Sequence, residues 1–184
     1  DQYTAWPFWA PDSKQLFYQV LNRGQDDLQI LSADPETGKN RLVYQEKNNT
    51  WVEFFEDIYI LKNNKGFILR SELDGWRHLY YYDMNGKLKK QLTKGEWNVS
   101  DIKLVDEENE RVFFEANKGD RLNTQLFVVD FDGDDIEQLT NIPGTHKGTV
   151  SPTGKYFYDS YSNINTPEKL DLYNDSGELI KNLG

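Results

Sequence analysis

The chain has 184 residues, a formal net charge of −10 and no cysteine. That charge argues against nucleic acid or an anionic membrane as the main partner. The missing cysteine excludes disulfides, thiolate metal sites and cysteine nucleophiles. Eleven Tyr, ten Phe and five Trp stand beside a single Met, a composition that suits half-buried pleated strands. No long segment carries apolar residues at helical spacing, and no apolar run approaches the roughly 18 residues of a membrane-spanning helix. The expectation is an all-β chain with no membrane span. It starts at Asp1 without an initiator Met or signal peptide and stops just after an apolar strand-like run, so both ends read as cuts in a longer protein.

In chain order, short apolar runs alternate with turns. The first unit has the turn APDSK (10–14), the runs QLFYQVLN (15–22) and LQILSA (28–33), and the turn PETGK (35–39). The second has KNNKG (62–66), GFILRSE (66–72), HLYYYD (78–83) and the turn MNGK (84–87). The third has DEENE (106–110), RVFFEA (111–116), QLFVVD (125–130) and FDGD (131–134). The fourth has SPTGK (151–155), KYFYDSYS (155–162), KLDLYN (169–174) and NDSGE (174–178). The turn glycines Gly38, Gly86, Gly133 and Gly177 recur about every 45 residues. Leu92, Leu139 and Leu183 follow the last three at one constant offset. Strand, turn, strand, loop, strand, turn, strand at that period predicts β-propeller blades, because a four-stranded sheet has two apolar faces that neighbours must cover. The predicted blades are 5–47, 50–95, 98–141 and 145–183. An irregular β-sandwich would not repeat its turns at a fixed offset.

SELDGWRHLYYYD (71–83) gathers Ser71, Glu72, Asp74, Trp76, Arg77 and His78. A serine–histidine–aspartate site needs a base within hydrogen-bond reach of the nucleophile and a third group to orient it. No strained elbow or oxyanion hole accompanies these residues, and Asp74-Gly75 is a turn pair in its own right. The reading is therefore structural, with Trp76 covering the turn and Arg77 or Glu72 pairing across it. No catalytic residue, metal site or cofactor is assigned. His78 and His146, the two histidines, fall in different units. DFDGDD (130–135) departs from a calcium loop where Asp135 and Asn141 stand in place of the required Gly and Glu. The sequons at Asn48 and Asn98 matter only in a eukaryotic secretory pathway.

The stretches LNRGQDDLQI, NNTWVEFFED, ILRSELDGWRHLYYYDMNGKLKKQLTKGEWNV and VSPTGKYFYDSYS together resemble one family. It is the N-terminal β-propeller region of dipeptidyl peptidase IV, in the prolyl oligopeptidase group of serine peptidases. The most specific elements are SELDGWRHLYYYD and QLTKGEWNV, the latter with Trp97, and Trp51 adds to them. The resemblance implies part of an eight-bladed propeller that caps an α/β-hydrolase domain, limits access to peptides and helps to hold their amino termini. The GxSxG nucleophile elbow of that domain is absent here, and the adjacent Glu107-Glu108 lacks the family's amino-terminus-binding context. TWVEFFED matches a stretch that enters the family's substrate cavity through an aromatic and often a basic residue. Phe54, Phe55 and Glu56 are the nearest counterparts; alternatively Trp51 and Phe55 fill space between blades.

The resemblance thus implies a serine-type dipeptidyl peptidase as parent, exported or periplasmic, with this chain inactive alone. Its partners would be peptide substrates, the missing blades and the hydrolase domain, and uncovered blade faces predict self-association. The repeat alone fits a second reading, an independent propeller-like binding module.

Overall fold

A computed structural model describes residues 1–62 and 64–184. Among the described residues the regular elements are sixteen strands. The first sheet has β1 (Gln2–Trp9), β2 (Leu16–Asn22), β3 (Asp27–Ala33) and β4 (Asn40–Lys47). The second has β5 (Ile58–Ile60), β6 (Phe67–Ser71), β7 (His78–Tyr82) and β8 (Leu88–Gln91). The third has β9 (Val99–Asp106), β10 (Arg111–Ala116), β11 (Gln125–Asp130) and β12 (Ile136–Gln138). The fourth has β13 (Thr145–Val150), β14 (Tyr156–Asn163), β15 (Thr166–Asn174) and β16 (Leu179–Asn182). In each sheet chain neighbours are sheet neighbours. Four four-stranded antiparallel sheets in succession are propeller blade units, as the repeat predicts. The predicted KNNKG turn contains Asn63, which lies outside the described residues; Leu61 N donates to Gly66 O across it at 3.0 Å.

Alternation explains how each strand is seated. In β2, Phe17, Gln19 and Leu21 are buried while their neighbours are half-exposed, and β3 buries Leu28, Ile30 and Ser32 in the same period of two. β10 and β11 are buried almost throughout, as central strands covered on both faces must be. β16 is exposed along its length.

The chain divides into two compact units, Asp1–Leu73 with Tyr80–Lys90, and Asp74–Leu79 with Gln91–Gly184. In the first, Phe17, Leu21, Leu28, Ile30 and Val43 share one core with Ile60, Phe67, Leu69, Tyr80 and Tyr82. Phe8 stacks on Phe17 at 5.4 Å, and Tyr44 meets Tyr82 edge-on at 4.8 Å. In the second, Phe113, Leu126, Val128 and Leu139 pack with Phe157 and Tyr173. Arg111 ties the third sheet to the fourth: its Nε donates to Asp106 at 3.0 Å, and its Nη2 donates to Gly154 O at 3.1 Å and to Asp175 at 3.0 Å.

The recurrent hairpin glycine has a packing cause. At Gly86, with φ +78°, a Cβ would lie 1.8 Å from Val43 O. At Gly177, with φ +76°, it would lie 2.7 Å from Leu139 O. Each hairpin presses its backbone onto the outer part of the preceding sheet, where no side chain fits and the left-handed backbone favours glycine.

Candidate functional site

Ser71 closes β6 and is buried. Its hydroxyl donates to Glu46 Oε2 at 2.6 Å and accepts from Leu73 N at 3.2 Å. The same Glu46 oxygen accepts the Tyr44 hydroxyl at 2.8 Å. Glu46 is thus a buried carboxylate held by two hydroxyls, and burial followed by its negative charge pushes the Tyr44 phenol well above the ordinary tyrosine value. The sequence of β4 carries no hint that its one glutamate, Glu46, turns inward.

Asp74 forms the turn. Its Oδ1 accepts from Trp76 N at 3.3 Å, its Oδ2 accepts from Gln91 Nε2 at 2.6 Å, and Gly75 follows with φ +91°. Trp76 is half-buried, with the Arg121 guanidinium 5.6 Å over its ring. Arg77 N donates to Asn98 Oδ1 at 2.8 Å, and Asn98 N donates to Asn117 Oδ1 at 2.7 Å, so the second sequon's asparagine is built into the fold. Glu72 is exposed at the loop entrance.

His78 is fully buried. Its Nδ1 lies 3.0 Å from Thr93 Oγ1, its Nε2 lies 2.9 Å from Gly95 O, and Trp97 meets it edge-on at 4.7 Å. Thr93 Oγ1 also accepts from Leu79 N at 2.9 Å. The next sheet repeats this arrangement with a different side chain. Gln125 Oε1 accepts from Thr140 Oγ1 at 2.7 Å, its Nε2 donates to Ile142 O at 2.8 Å, and Leu126 N donates to Thr140 Oγ1 at 2.8 Å. Glutamine in this role has a fixed acceptor and a fixed donor. The matching geometry assigns His78 the tautomer with its proton on Nε2. Ser71, Asp74 and His78 therefore have three separate sets of partners, all belonging to turn and strand architecture. The paired HL…QLT and QL…QLT strings carried the signal for this clasp, and the reading of polar residues as site chemistry passed over Gln125, Thr93 and Thr140.

In the stretch 50–57, Val52 is buried and Trp51 is 55% exposed, so Trp51 does not fill a gap in this unit. Phe55 is held on both sides by one glutamine: its N donates to Gln19 Oε1 at 2.8 Å, and Gln19 Nε2 donates to its O at 2.7 Å. Its ring meets Tyr44 edge-on at 5.8 Å. Phe54 is likewise half-buried against the core, while Glu53 and Glu56 are exposed. Asp57 pairs with Arg70. No group of three or more His, Asp or Glu suited to a metal occurs among the described residues. No helix among them is long and apolar enough to cross a membrane.

Comparison with known proteins agrees with this architecture. The family profile described as "Dipeptidyl peptidase IV (DPP IV) N-terminal region" matches residues 1–168. Dipeptidyl peptidase 4 of Trichophyton rubrum is 28% identical over 97% of this chain, which spans 24% of that protein. Human dipeptidyl peptidase 8 is 26% identical over 94% of the chain and is spanned to 25%. Among solved structures, Porphyromonas gingivalis dipeptidyl peptidase 4 superposes with a TM-score of 0.91 at 24% identity, over all of this chain and 26% of that one. A putative dipeptidyl aminopeptidase IV from Bacteroides ovatus gives 0.88 at 29% identity, over all of this chain and 29% of that one. With four consecutive blade-like sheets and a profile match over residues 1–168, the chain belongs to the dipeptidyl peptidase IV N-terminal region family.

Proposed function

We propose that this chain is a non-catalytic portion of a dipeptidyl-peptidase-like serine peptidase, forming part of the propeller wall that admits and orients peptide substrates for a separate α/β-hydrolase domain. The observation that carries the reading is the family match of a chain that spans about a quarter of its relatives. The engagement of Ser71 by Glu46 and of His78 by Thr93 and Gly95 supports it, since neither side chain is left to act on a substrate. Phe54, Phe55 and Glu56 are proposed to border the substrate cavity, with Gln19 holding the backbone at Phe55 in place. An exported or periplasmic location, and self-association of the separate chain, belong to the same proposal.

The test uses a chromogenic Xaa-Pro substrate. The purified chain is expected to give no turnover, and hydrolysis abolished by a serine-directed inhibitor would overturn the assignment. An uninterrupted reading frame continuing into a GxSxG-bearing domain supports the gating role. A stop codon close after Gly184 would favour an independent binding module instead.

A further inference from the structure

A buried ionic cluster lies between the third and fourth sheets, within the second compact unit, and the proposed function makes no use of it. His146 on β13 and Asp159 on β14 are both nearly solvent-free, and His146 Nδ1 lies 2.5 Å from Asp159 Oδ2. The other ring nitrogen, Nε2, lies 2.7 Å from Ile142 O, which also accepts from Gln125 of β11. His146 N donates to Thr124 O at 3.2 Å, so this residue touches the third sheet's loop as well. Tyr161 stacks on the imidazole at 5.2 Å.

Both ring nitrogens thus face acceptors. A neutral imidazole has one N–H and can satisfy one of them; an imidazolium satisfies both. The surroundings are rich in carboxylate. Asp171 on β15 is directly opposite Asp159 in register and is buried, accepting from Asn182 Nδ2 at 2.6 Å and lying 3.4 Å from the Tyr173 hydroxyl. Glu115 on β10 accepts from Gly148 N at 2.8 Å and pairs with Lys103 of β9, which also pairs with Asp101. Asp159 Oδ1 is buried and lacks a hydrogen-bond partner among the described residues. An ionised carboxylate in that position needs the imidazolium charge beside it.

We propose that His146 and Asp159 form a buried proton latch, doubly protonated on the ring at neutral pH, that pins β13 to β14 where the fourth sheet meets the third and loosens on the alkaline side. Losing the proton leaves a bare Nδ1 against the Asp159 carboxylate, with Asp171 and Glu115 close by. The direction of the coupling agrees. Burial by itself lowers the imidazole's pKa, but the bond to Asp159 and its charge outweigh this, and with Ile142 O and Glu115 they hold it above the ordinary histidine value. A raised folded-state value contributes stability that is complete below the unfolded histidine range and disappears as pH rises through the folded one.

Histidine-labelled chain carrying His78→Gln, in which His146 is the single histidine, tests this by nitrogen NMR. At about pH 7.5 both ring nitrogens are expected to be protonated, and the melting temperature is expected to fall as His146 titrates at higher pH. Asp159→Asn should lower the His146 midpoint by about one pH unit or more and flatten that fall. A bare Nδ1 at about pH 7.5, or an alkaline fall of equal size in the Asp159→Asn chain, would overturn the latch. If Asp159→Asn does not fold, the ring spectrum of the His78→Gln chain decides the matter.

Discussion

His78 and Gln125 perform one task with different chemistry. Both bind a threonine hydroxyl and a carbonyl two residues further on, and both stand at the first position of a sheet's third strand. The task is to satisfy the backbone where one sheet hands over to the next, and a buried polar group left unpaired there costs about 1–3 kcal/mol. His78→Gln is therefore expected to cost less than about 1 kcal/mol, which for a chain of this size is a melting shift of about 2–4 °C at most. His78→Leu should cost about 1–3 kcal/mol, because Thr93 and Gly95 lose a partner that leucine cannot replace. Thermal unfolding of the two variants distinguishes them. Equal destabilisation would show that volume, and not the pair of hydrogen bonds, matters at this position.

Among the elements, the tight hairpins impose the repeat. Gly86 and Gly177 combine a left-handed backbone with contact against a carbonyl of the preceding sheet, whereas Gly38, φ +67°, has no atom within 4 Å of where its Cβ would be. The first sheet has no preceding sheet in this chain to press against. Alanine at Gly38 should therefore cost only the conformational penalty of about 1 kcal/mol. Alanine at Gly86 must also displace Val43 O, and its cost should exceed about 2 kcal/mol. Chemical denaturation of both variants, compared at equal slope, measures the difference. Equal costs would mean that hairpin conformation alone explains the period.

For the whole molecule, the decisive feature is uncovered apolar surface. The third sheet is covered by the fourth, but β14 leaves Tyr156 50% and Tyr158 45% exposed, and Ile180 and Leu183 near the chain's end are about half exposed. Alternate residues of a strand share a face, so Tyr156 and Tyr158 lie together on β14 with Leu172 of β15 opposite Tyr158, and exposed aromatic surface of this kind favours association. The separate chain is expected to self-associate at micromolar concentrations, and Tyr158→Lys should shift it toward monomer. Light scattering that finds a monomer at all concentrations would count against this. The net charge of −10 opposes association at low salt, so added salt should strengthen it.

Fold and site differ in how far the sequence determines them. Period-two alternation, recurring glycines and spaced leucines determine strands, sheets and their order, because each of these is local and recurs from unit to unit. SELDGWRHLYYYD likewise identifies the family, and Asp74-Gly75 its turn, from adjacent residues. Partner choice is different. Ser71 reaches Glu46 across 25 positions and Gln19 reaches Phe55 across 36. His146 and Asp159 meet because two strands pair in one register and a neighbouring sheet seals them from water. Alternation tells which face a side chain occupies but not what lies opposite. The packing of sheet on sheet decides that, and it gave a serine, an aspartate and two histidines partners that adjacent residues do not reveal.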